Sequence, residues 1–151
     1  MAFSTSIEVD RPPAEVFAYV TDPSRFSEWQ RGVVGGHVAC DGPPAVGDRC
    51  ITTRRIGLAE RAVTSQITLV DPPRSWGLAG IDGPIRAEVN VTVEPLEGDR
   101  RSKVTIDIAF AGRGLGRLIV PLAVRPQARK EMPANMQRLK ERLERPEAMP
   151  G

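Results

Sequence analysis

TDPSRFSEWQRG, residues 21–32, sets Phe26 and Trp29 three apart in a chain with four Phe, two Trp and one Tyr in all. Asp22 can cap a helix whose first position is Pro23, because proline lacks only an N–H that the first turn leaves unpaired. Phe26 and Trp29 then share one face, and Gly32 can take the left-handed conformation that ends a helix. The preceding RPPAEVFAYVT, residues 11–21, reads as a separate helix of about two to three turns, with Val16, Phe17 and Val20 at helical spacing. Two short helices in succession make a bent pair rather than a rod. An aromatic face on the second suits it to closing the mouth of an apolar cavity.

Outward from this pair the text is strand-like. Phe3, Thr5, Ile7 and Val9 alternate with Ser4, Ser6, Glu8 and Asp10, the period of a strand with one wet face. Between residues 33 and 111, strands are predicted at VVGGHVAC, RCITTRRI, RAVTSQITLV, SWGLAGI, IRAEVNVTVEPL and SKVTIDIAF. They are separated by the turn signals DGPPAVGD, GLAE, DPPR, DGP and EGDR. Val63, Ile67 and Leu69 are expected on one face of their strand, with Ser65 among them. Ile85, Ala87, Val89, Val91 and Val93 give the cleanest alternation, answered by Val104, Ile106, Ile108 and Phe110. Hairpin-length connections make the seven strands mostly antiparallel.

The segment after residue 111 is helical in period, with Ala128, Met132, Met136, Leu139 and Leu143 on one stripe. A kink or break is expected near Pro121, Pro126 or Pro133, and residues 146–151 read as a flexible tail to a single domain over 1–145. The fold class is therefore α+β: a curved seven-stranded antiparallel sheet gripping a long C-terminal helix, with two short helices between the first two strands. A sheet with one apolar face must cover it, and only the last helix is long enough. Curling around one helix leaves space where small residues such as Gly80 and Ala87 face inward.

Composition narrows the functional classes. The chain has 151 residues, 40% apolar and 26% charged, which fits one soluble domain. Lys and Arg number 21 against 19 Asp and Glu, without a basic block, so nucleic acid is not an expected partner. The opening MAFSTSIEVD has no leader character and no run is long enough to span a bilayer, so a cytoplasmic location is expected. Cys40 and Cys50 could bridge neighbouring strands, but free buried thiols are the favoured reading. One histidine, His37, cannot build a metal cluster or a serine triad, and a solvent face is expected for it. Asp82, Glu97 and Asp99 lie in turns, as turn formers. VVGG and GRGLG lack phosphate-loop spacing. No catalytic residue, metal or cofactor is assigned.

Several motifs in order resemble one family. IEVDRPPAEVFAYVTDPSRFSEWQRGV (7–33), VGDR (46–49), VDPPRSWGL (70–78), EGDRRSKVTIDIAF (97–110) and LKERLE (139–144) are similar to the START-like, SRPBCC superfamily, in its polyketide cyclase/dehydrase branch. The resemblance spans nearly the whole chain and implies the helix-grip fold with an internal cavity for hydrophobic molecules. Pro133 departs from a family helix that usually runs unbroken.

The resemblance also places Cys50, Thr52, Arg54 and Ile56 on the inward face; periodicity alone leaves open the alternative set Ile51, Thr53 and Arg55. An inward guanidinium needs a partner, and a ligand carboxylate, enolate or phenolate would match its fork. The competing reading has both arginines reaching solvent or pairing with Glu88 or Asp107. Ser65 could orient a ligand or bond to nearby backbone. Trp29 and Trp76 could touch ligand, although packing of helices on sheet is favoured for both. Met132 and Met136 are core residues that could also line a cavity. With Ala87, Val89, Ile108 and Phe110 these residues form the candidate lining. The leading function is a carrier or sensor for a hydrophobic or amphipathic small molecule. The alternative is an aromatase/cyclase-type enzyme acting in the same cavity. A third is an interaction subunit, and homodimerisation stays open.

Overall fold

The computed structural model describes residues 2–39, 43–56, 58–82, 85–112 and 125–145. Strands are β1 (Ala2–Val9), β2 (Val33–Ala39), β3 (Arg49–Ile56), β4 (Ala59–Asp71), β5 (Ser75–Gly80), β6 (Ile85–Leu96) and β7 (Arg101–Gly112). Helices are α1 (Pro13–Val20), α2 (Phe26–Trp29), entered through a 3₁₀ turn at Pro23–Arg25, and α3 (Arg125–Glu144). The seven strands form one antiparallel sheet in the order β1-β7-β6-β5-β4-β3-β2. Cys40, Pro121 and the tail at 146–151, for which expectations were set, lie outside the described residues.

β1 and β2 are consecutive in the chain yet lie at opposite edges of the sheet. Only α1, the 3₁₀ turn and α2 join them, so this bent pair must bridge the open side of the curve. Its turn is built as expected: Asp22 Oδ1 accepts from Ser24 N at 3.0 Å, and Gly32 has φ +87°. The Tyr19 hydroxyl donates to Glu28 Oε1 at 2.8 Å and ties α1 to α2. The 3₁₀ turn lies so close to the edge strand that a Cβ on Gly36 would stand 2.8 Å from Pro23 O and 3.2 Å from Ile51 O.

α3 runs through Pro133 as one helix, so no break falls at Pro126 or Pro133. Pro126 falls in the first turn, where donors are unpaired anyway. Pro133 is exposed, while Met132, Met136, Leu139 and Leu143 are buried against the rest of the fold, and that packing outweighs one lost hydrogen bond. The end of the helix is anchored to the β1–α1 corner. Arg11 Nε donates to Leu143 O at 2.8 Å, Asp10 N to Glu144 Oε2 at 2.9 Å, and Lys140 Nζ to Glu8 O at 2.9 Å.

Leu69 corrects a second expectation. The β4–β5 register shifts between Ile67 and Leu69, so an extra residue turns Leu69 outward at 40% exposure while Ile67 is fully buried. Val70, not Leu69, then packs against the core.

Two outcomes follow. Gly36→Ala should destabilise the fold by about 1–3 kcal/mol because backbone must move, whereas Gly35→Ala, with nothing within 4 Å of its Cβ, should stay within about 0.5 kcal/mol; urea unfolding measures both. Desolvation pushes the Glu144 carboxyl up, but the Lys140 hydrogen bond, the Asp10 N–H and the charges of Lys140 and Arg101 outweigh it and hold it below the ordinary value of 4.5. Its contribution to stability is therefore present above that value and lost as pH falls through the lower, folded one. Glu144→Gln should flatten this part of the acid-side stability curve.

Candidate functional site

The inner face of the sheet is set by pairing, since partners across a ladder share a face. One row runs Val38, Cys50, Ser65 and Gly80; a neighbouring pair is Ala87 and Phe110. The next row runs Ile67, Leu78, Val89, Ile108 and Phe3, and beyond it lie Val70, Trp76, Val91 and Ile106. Cys50 and Thr52 are buried, so this is the inward side of β3 and Arg54 shares it. Arg55 faces out and donates to Glu60 Oε2 at 3.1 Å rather than to Glu88 or Asp107. The choice that periodicity left open is decided by burial.

This face is covered unevenly. Val9, Val93, Val104, Leu139 and Leu143 are sealed at one end, each no more than 1% exposed. Toward the other end Phe3, Val89 and Phe110 are only partly buried, and Val63, Ser65 and Ala87 are likewise half-buried. A cleft of about 230 Å³ lies at that end of the sheet, lined mostly by the outer face, Ala79, Arg86, Glu88, Ala109 and Ala111, together with Gly80, Ala87 and Phe110. Small side chains on adjacent strands create it. A second cleft of about 450 Å³ lies outside the grip, between the α1–α2 bridge and β2, and is bordered by the exposed His37.

Arg54 is the charged group on this inner face. Burial lowers the pKa of its guanidinium, an effect that Cys50 and the Glu131 carboxylate of α3 oppose. Burial likewise raises the Cys50 thiol to about 11, against the opposing charge of Arg54. Cys50 is a free, buried cysteine. Iodoacetamide at pH 9.0, the ordinary thiol value, should leave it unlabelled in the folded protein and modify it after unfolding, as read by peptide mass mapping.

Trp76 and Trp29 are both 3% exposed and are joined through Phe26, whose ring stands edge-on to Trp29 at 5.8 Å and to Trp76 at 6.3 Å. Met132 and Met136 are buried in the same core. All four thus pack in the core. Three residues with a part in the site carried no usable sequence signal. Glu131 faces Arg54, Phe3 stacks near Phe110 with ring centroids 6.2 Å apart, and Asn135 links α2 to α3 by accepting from Arg31 N at 3.1 Å. Helix phase could have offered Glu131 and Asn135, but not their partners. Asp82 accepts from Thr64 N at 3.1 Å, and Glu97 and Asp99 have positive φ, as turn formers.

Among the described residues no group of three His, Cys, Asp or Glu could hold a metal ion, and no helix is long and apolar enough to cross a membrane. A family profile described as polyketide cyclase/dehydrase and lipid transport matches residues 1–144. The chain belongs to this family. Its fold is the helix grip of START-like proteins, shared with the Zhui aromatase/cyclase of a Streptomyces species at TM-score 0.79 and 12% identity, over 96% of this chain and 94% of that one. A polyketide-cyclase-like protein of Corynebacterium glutamicum matches at TM-score 0.67 and 22% identity, over 95% and 91%. The di-domain aromatase/cyclase BexL matches at TM-score 0.69 and 18% identity, over 93% of this chain but 45% of its own length. At these identities the likeness is one of fold. No curated protein matches the chain significantly.

Proposed function

We propose that this domain binds a hydrophobic or amphipathic small molecule between the sheet and α3, as a cytoplasmic carrier or sensor. The carrying observation is the uneven cover of one continuous apolar face. At the Leu139 and Leu143 end it is sealed, whereas Phe3, Ala87, Val89 and Phe110 keep solvent contact at the other end. Leaving such surface wet forfeits roughly 25 cal/mol for each Å², and an apolar ligand recovers that. Thr52, Ser65, Arg54 and Glu131 supply the few polar groups that would orient it.

A second reading rests on Arg54 itself. The Arg54 guanidinium, with the Ser65 hydroxyl further along the same face opposite Cys50, could steer enolate charge in a bound poly-β-ketone, so that positioning supplies most of the rate. Family membership and the fold shared with aromatase/cyclases support this reading. It makes Arg54 a site residue in either case.

Native mass spectrometry of gently purified protein should show retained or accepted hydrophobic compounds; a chain that takes up none counts against both readings. Arg54→Met should leave thermal stability unchanged or raised, because a half-buried cation that burial disfavours is removed. The same change should weaken anilinonaphthalene sulfonate, an apolar anion, by about tenfold. Unchanged affinity would remove Arg54 from the site.

A further inference from the structure

Trp29 closes α2 and is held on every side. Its carbonyl accepts from Arg138 Nε at 3.3 Å; Arg138 Nη2 donates to Asn135 Oδ1 at 2.7 Å, and Asn135 also accepts from Arg31 N at 3.1 Å. Its ring is fixed edge-to-face on Phe26 at 5.8 Å. With 3% exposure, the indole has no route by which to turn its N–H to water.

Nε1 of Trp29 is nonetheless a buried donor with no hydrogen-bond partner, alone in this among the described side chains. The neighbouring polar groups are satisfied by contrast: Asn135 Oδ1 accepts twice, and the fully buried Ser102 donates to Arg11 O at 2.8 Å. An orphaned buried donor loses its whole hydration without return, and native folds keep few of them. A phenylalanine would fill much the same space without that loss.

Because Trp29 is sealed from solvent, an acceptor that reaches it must come from inside the fold. We infer that Trp29 Nε1 is a hydrogen-bond donor to ligand and that it selects an otherwise apolar molecule carrying an uncharged acceptor oxygen, such as a ketone. This rests on the binding reading above. The indole supplies one neutral donor, which matches a carbonyl lone pair. A carboxylate at this neutral donor would have no countercharge from the indole, and Arg54 is the group suited to that.

Acetylnaphthalene and ethylnaphthalene, substituted at the same ring carbon, differ by the carbonyl alone and serve as probes. N–H correlation NMR resolves the two tryptophan indoles, and Trp29→Phe identifies one by its disappearance. The ketone should move the Trp29 indole resonance downfield and bind about tenfold more tightly than the hydrocarbon. Trp29→Phe, with its fold checked by circular dichroism, should erase that preference while leaving ethylnaphthalene affinity within about twofold. An indole resonance that responds equally to both probes, or a preference that survives in Trp29→Phe, overturns the inference and leaves the binding reading intact. Failure of both naphthalenes and of anilinonaphthalene sulfonate to bind removes the binding reading and this inference with it.

Discussion

The demand that one apolar sheet face be covered by one helix governs this structure. β1 and β2 stand at opposite edges although they are neighbours in sequence, so the α1–α2 bridge has to span the concave side. α3 then lies against β1 and the bridge, and its end is pinned by Arg11, Asp10 and Lys140. With its last turns anchored there, α3 seals the Leu139–Leu143 end of the interior and leaves the far end of the same face only partly covered.

Polar groups in this interior fall into two kinds. Those that hold elements together are paired: Asn135 joins α2 to α3, and Ser102 bonds the carbonyl of Arg11. Elsewhere the half-buried guanidinium of Arg54 stands toward Glu131, and the buried indole N–H of Trp29 has no acceptor. Burial makes unmade bonds expensive, so groups left this way mark where another molecule fits. The same low dielectric acts on Cys50 in the opposite sense and quiets its thiol.

Much of the fold was legible because its signals are local. The alternation at 85–96 and 102–110, the Asp22–Pro23 start and the left-handed Gly32 depend on nearby residues, and each appears where expected. Two misreadings were tertiary. Pro133 should break an isolated helix but not one whose opposite stripe is buried, and Leu69 lost its face to a bulge that strand pairing alone produces. The inner face was legible in outline: Thr52, Arg54, Ser65, Ala87, Val89, Ile108 and Phe110 share it.

The amino-acid order by itself determined the elements, their antiparallel pairing and the amphipathic last helix, since period and turn chemistry act over a few residues. It also limited the chain to a single histidine, His37, too few for a cluster of histidine ligands. Tertiary structure decided which side of β3 faces in, that Glu131 stands toward Arg54, and that the donor of Trp29 is stranded. Those outcomes depend on residues some 77 to 109 positions apart, Arg54 with Glu131 and Trp29 with Arg138. Only packing brings them together, because no local preference acts across such separations.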